Sequence, residues 1–326
     1  MKKVYGLFAF VLLQAALALV ASKPLRAYMT AKSISVVDGS IVPHKWDPAG
    51  FPVTWQMNPV QGTYVTGVRQ QSDALTTSFA AWAAVVPVSV KQGVNTDPTV
   101  KASQYDGINV ITSNTSATDL PTGVLAYTFT FIVNQAGLPQ SDMYHTGSFV
   151  GQIVEADMEF ANNQSYPYNL DAAGAANKFD FQSVATHEAG HFFGMDHASD
   201  SSSTMFWTTG AGYTYQRNLS QDDIAGISTL YPPPTFSSTG TLSGKVRTTT
   251  NTAVYGAIVV AVNSTGQPVA STVTDPSGAY VIQGLPAGTY TVFAEPMSGR
   301  ITPGNIGSLQ IYSPATVNTN FTVRYH

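Results

Sequence analysis

Apolar residues recur with two different periods along this chain, and the change of period divides it. In "GVRQQSDALTTSFAAWAAVV" (67–86), Val68, Leu75, Phe79, Trp82 and Val86 fall on one helical face, and Pro87 ends the helix. A second helix is predicted from Asp180, a suitable N-cap, to Phe193, with Gly194 where a left-handed C-terminal cap belongs. A third starts in "LSQDDIAGISTLYPPP", where Ser220 and Asp223 make a capping box and the prolines at 232–234 stop it. Strands are predicted at Phe51–Met57, "PVSVKQG", "GINVITS", Gly123–Val133 and "GQIVEADMEF". The last alternates cleanly, with Val154, Ala156, Met158 and Phe160 on one face and Glu155, Asp157 and Glu159 on the other. From about Ser237 to His326 no helical period remains. Short Val-, Thr- and Tyr-rich strands alternate there with turns, at a spacing that predicts a small sandwich of about seven strands.

The N-terminus has a pattern of its own. Lys2 and Lys3 precede an apolar stretch broken only by Gln14, and small residues follow at Ala16-Leu17-Ala18 and Ala21-Ser22. This is the layout of a secretory signal peptide over residues 1–22, and it predicts a secreted, periplasmic or cell-surface protein. An uncleaved anchor over Val4–Ala21 is the competing reading. No other stretch is long and apolar enough for a transmembrane helix, so no stable membrane insertion is expected after cleavage. Residues 23–45 carry no strong periodicity and read as a short leader or pro-segment.

Composition narrows the function classes. The 326 residues favour two domains, and 44% apolar residues can fill a sizeable core. Only 10% are charged and the net charge is -4, so no basic footprint for a nucleic-acid partner exists. There is no cysteine. No disulfide or cysteine-linked lipid is therefore expected, and a metal site must use His, Asp or Glu. The boundaries expected are 46–232 for a first domain, 233–240 for a proline-rich, semi-rigid linker and 241–326 for the sandwich.

Half of the six histidines fall in "HEAGHFFGMDH". His187 and His191, four apart on the second helix, project from one face and can share a zinc ion. Glu188 lies near that metal without ligating it and is placed to take a proton from bound water. A sharp turn at Gly194 returns His197 as a third nitrogen ligand. Three protein ligands leave one position for water, which marks a catalytic rather than a structural site.

These residues resemble the metzincin zinc peptidases, whose pattern is His-Glu-x-x-His-x-x-Gly-x-x-His. Met205, eight residues after His197, is similar to the methionine of that family's turn beneath the metal, and reads equally as core packing. Within the metzincins the chain is most similar to the matrixins, through "SDALTTSFAAWAAVVPVSV", "GVLAYTF" and "NLSQDDIAGISTLYPPP". The resemblance implies an α+β fold, with a twisted, mostly parallel sheet plus three helices in the first domain. It implies one catalytic zinc held by His187, His191 and His197, with Glu188 as general base in peptide-bond hydrolysis. Protein or peptide substrate would lie as an added strand along Gly123, Val124, Leu125, Ala126 and Tyr127. The segment Phe206–Tyr215 would wall a specificity pocket, with Tyr213 either in that wall or an ordinary aromatic.

The chain also departs from that pattern. Tyr127 and Glu159 stand where ligands of a second, structural zinc are usual, so that zinc is not expected. Asp119 matches one acidic position of the family's calcium loop, but Asn162 and Asn163 replace others, which leaves calcium open. No cysteine latch exists, and His44 is either a substitute donor or an exposed loop histidine.

"VTDPSGAYVIQGLPAGTYTVFAEP" resembles the carboxypeptidase-regulatory-like domains, small immunoglobulin-like sandwiches of secreted bacterial enzymes, over Thr241–Val323. It reads either as a module binding an unidentified surface or substrate ligand, or as a stability appendage. The expectation for the whole chain is a secreted zinc endopeptidase. The alternative is a secreted adhesion or scaffold protein with an inactive peptidase-like domain.

Overall fold

The structure, a computed structural model, describes residues 30–95, 97–113, 120–134, 147–297, 301–312, 315–318, 320–322 and 324–325. The signal-peptide reading of residues 1–22 and the calcium position Asp119 lie outside the described residues. No helix among those described is long and apolar enough to cross a membrane.

The leader, which shows no periodicity, forms an antiparallel hairpin of β1 (Lys32–Ile34) and β2 (Ile41–Pro43). The first domain continues with β3 (Val53–Met57), β4 (Val65–Thr66) and α1 (Gln71–Ala83). Then come β5 (Val90–Gln92), β6 (Asn109–Ser113), β7 (Ala126–Ile132) and β8 (Ile153–Phe160). Short strands β9 (Tyr168–Asn169) and β10 (Phe179–Asp180) lead into α2 (Phe181–Phe192), and α3 (Gln221–Leu230) closes the domain.

The main sheet has the order β5-β3-β6-β8-β7. All its pairs are parallel except β7 with β8, so the mostly parallel sheet and three helices expected from the sequence are present. β7 occupies one end of the order and starts at Ala126 rather than Gly123. Gly123 adopts φ +94° and the Val124 N–H donates to the Pro121 carbonyl, so a turn occupies the first three residues expected in the strand. α1 also starts later than its periodicity suggests. Val68 is 89% exposed and precedes the helix, whereas Leu75, Phe79 and Trp82 are buried as expected.

The core fixes α2. The Trp82 indole donates to the Thr186 carbonyl at 2.8 Å, and Trp46 donates to the Phe192 carbonyl at 2.8 Å. The Tyr231 hydroxyl at the end of α3 donates to the Phe193 carbonyl at 3.0 Å. Phe79 packs between Trp55 and the Phe192–Phe193 pair. The bonds to Phe192 and Phe193 satisfy carbonyls that the helix end leaves without intrahelical partners.

β8 buries both of its faces, including the acidic one. Glu155 accepts the N–H groups of Asp106 and Gly107, and Asp157 accepts that of Val110 at 2.8 Å. Alternation alone would leave that face to solvent. It is covered because the loop before β6 folds over it and turns its amides inward.

The C-terminal module comprises β11 (Gly240–Lys245), β12 (Ile258–Asn263), β13 (Pro268–Val273), β14 (Ala279–Leu285), β15 (Tyr290–Glu295) and β16 (Arg324–Tyr325). Its two sheets are β11-β14 and β13-β12-β15-β16. The described residues thus hold six strands rather than seven, and two 3-10 turns, Pro303–Asn305 and Gly307–Tyr312, fill the path from β15 to β16.

The modules on either side of segment 233–240 touch each other. Pro234–Ser238 is itself a 3-10 turn, and Ala225 of α3 is buried among Val259, Ala261, Ile282 and Leu285. Phe206 joins a cluster with Tyr255, Ile258, Val260 and Ile306. The buried Asp222 carboxylate accepts the Ser271 N–H at 2.5 Å.

Candidate metal centre

α2 supplies the first part of the site. Its N-cap Asp180 accepts the Ser183 N–H at 2.8 Å and pairs with Arg217, which ties the helix start to the turn Tyr215–Arg217. His187 and His191 lie one turn apart on the same face. Gly194, with φ +95°, reverses the chain after the helix. A Cβ there would sit 2.1 Å from the His44 carbonyl oxygen, so conformation and space both require glycine. The reversal brings His197 back to the other two rings.

The three Nε2 atoms converge. His191 Nε2 lies 3.0 Å from His187 Nε2 and 3.3 Å from His197 Nε2. Each Nδ1 points outward to a backbone carbonyl: His187 to Thr204 at 2.8 Å, His191 to Met195 at 2.9 Å and His197 to Asn305 at 2.7 Å. A carbonyl only accepts, so each Nδ1 carries the ring proton and each Nε2 presents a lone pair. Three lone pairs held this close repel one another unless a cation lies between them. Nitrogens bound tetrahedrally to zinc at about 2.05 Å would be about 3.3 Å apart, which fits the separations seen. Burial first, and then the neighbouring imidazoles, hold His187 well below its usual pKa. Burial and His197 bring His191 to about 4. Both therefore stay neutral, as a ligand must be. Among the described residues, this is the one group of His, Cys, Asp or Glu with ligand atoms close enough to hold a metal.

Glu188 is 3% exposed beside this centre. Its Oε2 accepts the Thr128 hydroxyl from β7 at 2.6 Å. Burial raises its pKa to about 7, against the Thr128 hydrogen bond, which lowers it. That value suits a proton carrier near neutral pH.

Met205 is fully buried beneath the centre. A Cβ on Gly190 would come within 2.2 Å of Met205 Sδ and 2.7 Å of the Trp82 ring, so the glycine between the two helical histidines admits the methionine. Asp223, the capping-box residue of α3, accepts the N–H groups of Thr204 at 2.8 Å and Met205 at 3.1 Å, and the Ser203 hydroxyl. The capping box found in the sequence thus also holds the methionine turn.

An open cleft runs past the three histidines and Glu188. Gly123, Val124, Leu125, Ala126 and Tyr127 all line it, beside the edge of β7 that pairs with no other described strand. Phe206, Trp207, Thr208, Thr209 and Gln216 also line it.

A family model described as Matrixin matches residues 45–232, more than half of the chain. The chain belongs to the matrixin family. A second model, the carboxypeptidase regulatory-like domain, matches residues 241–324 of this matrixin. Human Matrilysin is 47% identical over 58 residues, 18% of this chain and 22% of that protein. Metalloendoproteinase 1-MMP of Arabidopsis thaliana is 27% identical over 157 residues, 48% of this chain and 36% of the relative. Metalloendoproteinase 1 of Glycine max is 26% identical over 189 residues, 54% and 52% respectively. The chain spans about a fifth to a half of the length of these relatives.

Other residues singled out in the sequence are placed differently. Tyr213 is 59% exposed and lies outside the cleft lining, with its ring edge-on to Tyr215 at 5.9 Å. Of the segment expected to wall the pocket, Phe206–Thr209 line the cleft, whereas Tyr213 takes the ordinary-aromatic alternative. Tyr127 and Glu159 sit opposite each other across β7 and β8. The Asn162 side-chain oxygen accepts the Tyr64 N–H, and that of Asn163 accepts the Ser165 N–H. His44 stands apart from the three-histidine group. It is no exposed loop histidine either, since its ring nitrogens are buried without a protein hydrogen-bond partner.

Sequence reasoning missed Thr128, Asp196 and Asn305. Thr128 left a weak signal, a Thr-x-Thr alternation inside an apolar strand. Asn305 left none, since it lies 108 residues from the histidine it touches.

Proposed function

We propose that this matrixin is an exported zinc endopeptidase that hydrolyses peptide bonds of protein substrates. The observation that carries the reading is the convergence of three Nε2 lone pairs, each ring locked by a carbonyl behind it. His187, His191 and His197 would hold the zinc and leave its fourth position to the cleft. A zinc ion there supplies Lewis-acid chemistry, lowering the pKa of water and polarising the scissile carbonyl.

The chain's own residues do the rest. Glu188 takes the proton of the attacking water and passes it to the leaving amine, and Thr128 holds its carboxylate in place. The edge of β7 and the turn at Gly123–Leu125 bind substrate backbone as an added strand, which gives sequence-tolerant affinity. Trp207, Thr208 and Thr209, which also line the cleft, are placed to meet substrate side chains. Residues 1–22 serve as the export signal and 23–45 as the leader. The functional units are then 46–232 and 241–326, joined by 233–240.

The test combines metal analysis with hydrolysis of casein by the purified chain, with and without chelator. We expect one zinc per chain, chelator-sensitive cleavage, and a Glu188→Gln variant that keeps zinc but loses turnover by a factor of about 10²–10⁴. Stoichiometric zinc with intact casein would favour the scaffold alternative instead.

A further inference from the structure

His187 and His191 find the carbonyls behind them inside the first domain. His197 does not: its Nδ1 donates to Asn305, which belongs to the C-terminal module. The neighbouring buried carboxylate, Asp196, is shared in the same way. Its Oδ1 accepts the His197 N–H at 2.8 Å and the Gly307 N–H at 3.2 Å, and its Oδ2 accepts the Ser308 N–H at 2.5 Å. The segment that makes these bonds is itself built. The Thr302 N–H and hydroxyl both donate to Asn305 Oδ1, at 2.9 and 2.7 Å, and the Asn305 N–H returns to the Thr302 carbonyl at 3.0 Å. Ile301, Ile306 and Leu309 bury its two sides in the sandwich core. Gly304, Asn305 and Gly307 line the cleft together with His197.

From this we infer that the C-terminal module is part of the metal centre: Asn305 is the positioning residue of the third histidine, and the segment 302–308 closes the cleft beside it. The inference rests on the zinc reading above. Without the Asn305 carbonyl nothing selects the Nδ1–H tautomer of His197 or fixes its ring direction. His197 follows the Gly194 reversal and lies outside the helix that orients the other two. Outer partners of ligating histidines typically contribute about 10- to 100-fold in metal affinity. The module is thus neither a tethered binding unit nor a passive appendage, because the zinc site is incomplete until it docks.

The experiment uses the full chain and zinc alone as the probe. Zinc affinity is measured by competition with a chromophoric chelator, and release by the rate of transfer to that chelator. In Asn305→Ala the turn loses the acceptor for both Thr302 donors, whereas Asn305→Asp keeps it. We expect Asn305→Ala to bind zinc about 10-fold or more weakly and release it faster, with Asn305→Asp close to wild type. Gly307→Pro, which removes one N–H from Asp196, should move in the same direction and serves if the alanine variant does not fold. Wild-type affinity and release in both Asn305→Ala and Gly307→Pro would overturn the inference while leaving the zinc reading intact. A wild-type chain that binds no zinc would overturn both.

Discussion

Replacing Asp157 by asparagine should make the protein more stable at alkaline pH and flatten its dependence of stability on pH. Asp157 is fully buried in β8. Its Oδ1 accepts the Val110 N–H at 2.8 Å, while Oδ2 has no hydrogen-bond partner. Glu155 lies two residues back on the same face. Burial, with Glu155 and Asp106 nearby, pushes the Asp157 pKa from 3.8 up to about 8. Burial likewise raises Glu155 to about 7. The folded chain therefore keeps a proton on Asp157 that the unfolded chain has released. Stability falls as pH rises from about 4 to about 8, and is flat with respect to this group outside that window. At 1.36 kcal/mol per pKa unit, the loss across the window is on the order of 5–6 kcal/mol for Asp157. In a domain of this size that is a fall of about 10 °C in melting temperature. Asparagine keeps the acceptor for Val110 and does not titrate. Melting temperatures of metal-free wild type and Asp157→Asn should be compared from pH 5 to 8.5, so that zinc and histidine effects cancel in the difference. The curves should lie close at pH 5 and diverge upward, with the variant the more stable. Parallel curves, or a variant less stable at pH 8.5, would show that Asp157 is ionised in the folded chain.

Two further substitutions probe the centre. Thr128→Val removes the hydroxyl that holds Glu188, a hydrogen bond to a charged group worth about 1.5–3 kcal/mol. It should lower kcat about tenfold or more with KM and zinc content little changed; an unaltered kcat would remove Thr128 from the machinery. Gly190→Ala forces a methyl to 2.2 Å from Met205 Sδ and 2.7 Å from Trp82. Overpacking of this kind costs about 1–3 kcal/mol, seen as a lower melting temperature in the zinc-free protein.

The two modules share their interior as well as the metal centre. α3 stands between them, with Asp223 bonded to the methionine turn and Ala225 facing the sandwich. One short helix therefore carries the position of the sandwich to the floor beneath the histidines. The docked arrangement also explains why Asp222 tolerates full burial: it is matched to the Ser271 amide across the junction.

Local pattern was enough for the placement of the two helical histidines, the neighbouring glutamate, the glycine reversal and the capping box, because each is set by neighbours within a few residues. The 3.6-residue repeat puts His187 and His191 on one face whatever surrounds them, and a reversal at Gly194 leaves His197 little room to go elsewhere. Strand ends, the acidic face of β8 and the outer partners of the site could not be read this way. Gly123 delays β7 by a turn that alternation does not encode, and Asp157 is buried by a loop some fifty residues earlier. Tyr213 stayed open in the sequence between pocket wall and ordinary aromatic, and only the path of the folded chain leaves it exposed. The prolines mark the linker locally, but the contact of Ala225 on α3 with the sandwich strands is set by surfaces the linker does not encode. Asn305 shows the limit most clearly. A backbone carbonyl carries no side-chain signature, so only the docking of the second module decides which histidine it meets.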